Sequence, residues 1–192
     1  SGMRQLMDRY IDAKSSQKIS DFENKSLVEL IVNLAGEPEA EYKTKKQEAV
    51  AETIENNVRK VIIEESQANP KYYEKMSRLL DELIAQRKKE TLAYQEYLKK
   101  IKELAELVTS PQKTNSYPTS LDNAAKRALY DNLDQNEILV LALDNVIMVN
   151  KLDGWRDGGI KERKLRIVVQ NILKDDEKTD ELMEIIKAQR DY

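Results

Sequence analysis

What most constrains this chain is where its helix-breaking residues fall. Its 192 residues include only five glycines and four prolines. Beyond Gly2 they sit at Gly36 and Pro38, at Pro70, at Pro111 and Pro118, and at Gly154, Gly158 and Gly159. Glycine serves where the backbone must adopt conformations that side chains forbid, and proline removes a donor from a helix interior. The long intervals between them carry apolar residues at the spacing of helix faces. With 40% hydrophobic and 35% charged residues, the mixture is that of helical and coiled-coil proteins. The predicted fold is all-α: an elongated multi-helix assembly with a long helical hairpin and a small C-terminal helical bundle.

Residues 1–2, Ser1-Gly2 ahead of Met3, read as an expression scar. Residues 3–110 form a helical region with long antiparallel helices. A first helix is predicted over 4–18, with Leu6, Tyr10 and Ala13 on one side. Ser20 or Asp21 caps a second, where Glu23 completes a capping-box spacing; Leu27, Leu30, Ile31 and Leu34 face inward, and Gly36 and Pro38 stop it. A third covers 40–67 with Val50, Ile54, Val58, Val61 and Ile62 inward. Pro70 suits the first turn of the next helix. From Tyr72 the stripe runs through Tyr73, Met76, Leu80, Leu83, Tyr94, Leu98, Ile101 and Leu104 to Val108, interrupted at Arg87, Lys88, Lys89 and Glu90. Unbroken, these roughly 37 residues would make a rod of about 55 Å, either a projecting arm or a helix laid along a long neighbour. The third and fourth helices are natural antiparallel partners across Asn69-Pro70.

Residues 111–118 hold two prolines among Thr, Asn and Ser and are predicted to be a linker. The C-terminal bundle, 119–192, contains four helical patterns at 121–133, 137–149, 160–173 and 179–190, the first capped by Ser120 or Thr119. The segment Ile138-Leu139-Val140-Leu141-Ala142-Leu143 is apolar nearly all round. It is expected to be a buried helix at the centre of this bundle.

The residues that are missing exclude more than those present suggest. There is no histidine and no cysteine, which removes Ser-His-Asp and Cys-His hydrolases, HExxH metalloproteases, Glu-x-x-His di-iron bundles, disulfides and thiolate metal sites. The clustered glycines form neither a Walker A nor a GxGxxG pattern. Carboxylate pairs such as Glu48 with Glu52, or Asp175 with Asp176, are ordinary helix-surface charges. No catalytic, cofactor-binding or metal-binding residue is assigned. The formal net charge of -3 recruits no nucleic acid overall, so any DNA contact must be local. No apolar run approaches the roughly 20 residues needed to span a bilayer, and no signal peptide is recognised. A cytoplasmic location with no membrane contact is expected.

The candidate contact residues are Trp155, Arg156, Lys161, Arg163, Lys164 and Arg166. On the helix at 160–173, Leu165, Val168, Val169 and Ile172 share one face, while Arg163, Arg166 and Gln170 share an exposed stripe beside Lys161 and Lys164. Such a stripe can grip phosphates or an acidic protein surface through arginine forks; the plainer reading is a face that keeps the helix solvated. Trp155 beside Arg156 could dock on a partner or plug the end of a small helical core, the reading we favour. The basic run Arg87-Lys88-Lys89 is read as a solvated face, and Tyr130 as a core-edge residue.

An ordered set of motifs carries a resemblance. It comprises Ser120-Leu121, then Ala125-Lys126-Arg127-Ala128-Leu129-Tyr130-Asp131-Asn132-Leu133, Asn136-Glu137, and Leu141-Ala142-Leu143-Asp144. It continues with Asp153-Gly154-Trp155-Arg156 and Ile160-Lys161-Glu162-Arg163-Lys164-Leu165-Arg166. This stretch, 119–173, resembles the C-terminal helical region of the restriction (R) subunit of type I restriction-modification enzymes. Residues 19–31 resemble the region leading into it.

The resemblance implies a parent that is an ATP-dependent DNA translocase and type I site-specific endonuclease using ATP and Mg2+. Its nuclease and motor domains would lie outside these residues. The helical region would be a non-catalytic module docking the motor subunit on the methyltransferase and specificity subunits, with DNA reached through the whole complex. Two alternatives stand beside it: a helical module that contacts DNA next to the motor, and an unrelated helical adaptor.

Overall fold

The computed structural model of the chain describes residues 43–111, 117–157 and 159–192. The helices predicted over 4–18 and 20–34, and most of the predicted linker, lie outside the described residues. Among those described are seven α-helices and no strand, an all-α multi-helix assembly. No helix among them is long and apolar enough to cross a membrane.

The first lobe is built from α1 (Lys43–Glu65), α2 (Pro70–Lys88) and α3 (Tyr94–Thr109). Ala51, Ile54, Val58 and Ile62 bring one face of α1 inward, at the three- and four-residue spacing of a helix stripe. Asn69 accepts from the Tyr72 amide, and Pro70 occupies the first turn, where its missing N–H costs nothing. The chain therefore reverses at Asn69, and α2 returns along α1 with Met76, Leu80 and Leu83 buried between them. At the same end the Tyr72 hydroxyl donates to the Leu107 carbonyl at 2.9 Å, and that of Tyr73 to Val108 at 3.4 Å. Both carbonyls belong to the last turn of α3, where a helix leaves acceptors unpaired.

The stripe from Tyr72 to Val108 does not form a rod. α2 stops at Lys88, and Glu90 takes a left-handed backbone with φ 53°. Thr91 returns both its amide and its hydroxyl to the Gln86 carbonyl, at 3.2 and 3.0 Å. The break falls where Arg87 to Glu90 interrupt the apolar pattern. A straight helix would expose the face of Tyr97, Ile101, Leu104 and Val108, whereas folding back buries all four against α1 and α2. The first lobe is thus an up–down–up bundle of three helices. Arg87, expected on a solvated face, instead reaches α1, where its guanidinium pairs with Glu55.

The second lobe holds α4 (Ala124–Asn132), α5 (Glu137–Asn150), a 3-10 turn at Trp155–Asp157, α6 (Ile160–Leu173) and α7 (Asp176–Ala188). Three of the four helices start on an Asn or Asp whose side chain accepts from the third amide onward: Asn123 from Lys126, Asn136 from Leu139, Asp175 from Lys178. The cap of α4 is Asn123 rather than Ser120 or Thr119. Leu121 is buried ahead of it, and Ser120 is occupied donating to the Glu137 carboxylate at 2.6 Å. Asp175 also moves the start of α7 three residues upstream of the predicted 179.

α5 departs most from expectation. Val140, Leu143 and Ile147 are fully buried, but Ile138 is 83% and Val149 74% exposed. It lines one side of the core formed with Leu129, Leu165, Val169 and Ile186 and does not run through its centre.

The lobes meet through polar groups. Asn69 Nδ2 donates to Asp131 Oδ2 at 2.6 Å, Asn132 Nδ2 to Asn69 Oδ1 at 2.8 Å, and Gln189 Nε2 to the Ala68 carbonyl at 2.6 Å. Tyr117 adds a 2.7 Å bond to the same Asp131 oxygen. Burial pushes the Asp131 carboxyl up, against the pull of Tyr117 and Asn69, and burial likewise raises Tyr117.

Candidate functional site

The loop between α5 and α6 is shaped by glycine. Gly154 adopts φ 66°, and a Cβ there would lie 3.1 Å from an Asp157 carboxylate oxygen. Gly159 takes φ 79° and ψ -144° immediately before α6, a combination essentially closed to other residues. Between them Trp155 turns inward until only 3% of it is exposed, and its indole N–H donates to the Tyr192 carbonyl at 3.5 Å. The side chain closes the end of the second core, next to Tyr192, whose hydroxyl donates to Asp144 at 2.8 Å.

Arg156 lies over the Trp155 ring, 5.0 Å from its centroid. Its Nε donates to the Lys187 carbonyl at 3.1 Å and a terminal nitrogen to Gln189 at 2.7 Å. These acceptors are the free carbonyls at the end of α7, where a cation is also favoured by the helix dipole. Lys161 Nζ donates to the Asp153 carbonyl at 2.6 Å, tying the start of α6 to the loop. Glu162 pairs with Lys187.

The predicted stripe of Arg163, Arg166 and Gln170 is divided. Arg166 faces α7, donating to Asp180 at 2.6 Å and Asp176 at 3.2 Å, with Gln170 alongside at 3.3 Å. The paired guanidinium holds the Asp180 carboxyl below its usual range, and the two aspartates raise Arg166. Arg163 and Lys164 are exposed, and no hydrogen bond or ion pair engages their side chains among the described residues.

The two free cations share their face with Ile160, 72% exposed, and Ile167, 49% exposed. Positions 160, 163, 164 and 167 follow the spacing of one helix face. The site is therefore the outer side of α6: two isoleucines bracketing an arginine and a lysine, on a helix held by the loop at one end and by α7 along its flank. Sequence reasoning missed both isoleucines, although their spacing from Arg163 and Lys164 was readable; attention to charge hid them.

Chemically this face can bury apolar surface while its cations meet carboxylates or phosphates. Among the described residues, no group of three or more acidic side chains is placed to hold a metal ion. Set against protein families, curated proteins and solved structures, the chain matches none.

Proposed function

We propose that this chain is a non-catalytic helical docking module of a type I restriction-modification R subunit. In that role it attaches the ATP-driven motor subunit to the methyltransferase–specificity core. The observation that carries the reading is the outer face of α6. An exposed apolar-and-cationic stripe stands on a helix whose remaining charges are spent internally, through Arg166 to α7 and Lys161 to the loop. Exposed isoleucines bracketing two free cations suit a protein surface that offers carboxylates between apolar patches. The ordered motifs between 119 and 173 supply the identity of that partner through their resemblance to R subunits. ATP and Mg2+ belong to the parent's motor, and DNA is reached through the assembled complex.

A second reading rests on the same two cations: Arg163 and Lys164 could hold phosphates of a duplex beside the motor. Salt separates the two. Phosphate contacts lose affinity steeply as salt rises, whereas an apolar interface does not. The test mixes the chain with the cognate methyltransferase–specificity complex and follows co-elution by size exclusion with light scattering at low and moderate salt. Co-elution that survives moderate salt is expected. Ile160→Asp with Ile167→Asp, and separately Arg163→Glu with Lys164→Glu, should each abolish it while leaving the melting temperature unchanged. Normal co-elution of both variants would remove α6 from the interface. A salt-sensitive duplex shift with no co-elution would replace docking by the DNA-contacting role.

A further inference from the structure

The outer faces of α5 and α6 border one groove. Glu137 and Asp144 turn one flank of α5 toward Ser120 and toward Lys126 and Tyr192. The opposite flank, where Leu139 and Val146 are half-buried, meets α6. On α6, Glu162 and Arg166 turn one flank to Lys187, Asp176 and Asp180 of α7, and the flank of half-buried Val168 meets α5. The helices are antiparallel neighbours across a short loop, and both leave their remaining faces on the same side of the second lobe.

Along the line where they meet, each helix exposes four residues at one spacing. On α5 these are Ile138, Ala142, Asn145 and Val149, and on α6 Ile160, Lys164, Ile167 and Asn171. Steps of four, three and four keep each set in a single stripe. None of them is acidic, in a chain whose 192 residues include 35 aspartates and glutamates. The carboxylates beside them on the two helices, Glu137, Asp144 and Glu162, are turned aside to the partners just named, and Asp153 and Asp157 belong to the loop. Arg163, on the far side of α6, adds a second free cation to that of Lys164.

We propose that an acidic amphipathic helix of the partner lies in this groove. The inference rests on the docking role given to α6; it adds α5 to the contact and specifies the form of what binds.

Backbone chemistry selects a helix. The walls offer side chains only, because the amides and carbonyls of α5 and α6 are spent within their own helices. An extended segment would bury its backbone groups without partners, whereas a helix satisfies its own. The line between two packed helices is also where a third seats its ridges. Each wall is 14 residues long, which sets the occupant at about four turns.

Charge and spacing select its residues. Ile160 and Ile167 stand seven residues apart with Lys164 between them, and Ala142 leaves the α5 wall low. The occupant therefore carries apolar residues two turns apart, with a carboxylate between them for Lys164 and another on the same edge for Arg163. A duplex would set phosphates against Ile138, Val149 and Ile160, where no donor meets them.

The test uses the 192-residue chain with the cognate methyltransferase–specificity complex. Ala142→Glu with Val149→Glu changes only exposed positions of α5. It should weaken co-elution by about tenfold or more, with melting unchanged. Carbodiimide, which joins a lysine to a carboxylate it touches, should couple Lys164 to the complex, and Lys164→Arg should abolish that product. The coupled carboxylate should lie between apolar residues three or four positions to either side. A synthetic peptide of that segment should gain helix when the chain is added, and the α5 variant should lose it.

Co-elution that survives the α5 changes but not Ile160→Asp with Ile167→Asp overturns the groove and leaves docking through α6 standing. Survival of both removes docking as well. Absence of coupling in a complex that forms, or coupling to a segment that gains no helix, overturns the helical occupant. A duplex shift lost in the α5 variant assigns the groove to DNA, and a dimer of the chain alone lost in that variant assigns it to a second copy; either overturns the proposal.

Discussion

Arg87 and Glu55 form a two-pronged ion pair across α1 and α2, with Nε 2.7 Å from one carboxylate oxygen and a terminal nitrogen 3.1 Å from the other. Their side chains are 11 and 7% exposed. The Tyr97 hydroxyl of α3 donates to Glu55 at 3.1 Å, and Arg87 lies 5.8 Å from the Tyr97 ring centroid. One carboxylate thus joins all three helices of the first lobe. Removing only the cation strands a buried charge, which costs about 3–5 kcal/mol. Arg87→Met should therefore lower urea stability by that order, and Glu55→Leu with Arg87→Met should recover most of the loss. An unaltered midpoint for the single variant would contradict the pairing.

Trp155 and Arg156 should separate by magnitude. Trp155→Ala empties a buried indole site at the end of the second core and should cost about 3–5 kcal/mol. Arg156→Ala removes two charge-assisted bonds to the end of α7 and should cost about 1–2 kcal/mol. Thermal melting followed by circular dichroism measures both. Equal effects would mean that the loop is held by Arg156 rather than by the plug.

Asp131 makes a pH-dependent contribution at the junction of the lobes. Burial raises its carboxyl above the ordinary 3.8, so the folded chain holds that proton longer than the unfolded chain does. Its contribution is therefore fully present below the unfolded value and is lost as pH rises through the folded one. Asp131→Asn keeps an acceptor for Asn69 and Tyr117 but does not titrate. Going from about pH 7 to about pH 4, urea stability of the natural chain should improve relative to Asp131→Asn. A gap that stays constant, or moves the other way, would rule out a raised carboxyl.

The left-handed residues Glu90 and Lys174, at φ 53° and 56°, should tolerate glycine with a gain. Side chains in this region cost roughly 1 kcal/mol that glycine avoids. Glu90→Gly and Lys174→Gly are each expected to raise stability by about that amount, read as a higher urea midpoint. A loss at Glu90 would mean that α2 and α3 are continuous there.

How much of this was legible differs from element to element. The helix at 160–173 could be bounded from sequence to the residue, and the break at Asn69-Pro70 could be read with Pro70 in the first turn of the next helix. The break near Glu90 showed as a gap in the apolar pattern, but whether it bends the chain depends on whether α1 is there to receive α3. Arg87 looked like one cation in a solvated run, since its partner Glu55 lies 32 residues away. Arg166 looked free for a ligand until Asp176 and Asp180 came beside it.

By itself the sequence determined that the described residues are helical, roughly where most of their helices begin, and that a glycine-shaped loop precedes α6. Those features depend on periodicity, caps and backbone freedom within about four residues, so neighbours in the chain decide them. Only the tertiary structure decided that α5 keeps one apolar face and offers the other to solvent, that Trp155 goes inward, and that Arg163 and Lys164 remain free while Arg166 does not. α5 carries apolar residues on every side, and nothing local distinguishes the side that will be covered. That choice belongs to helices which meet it only once the chain has folded.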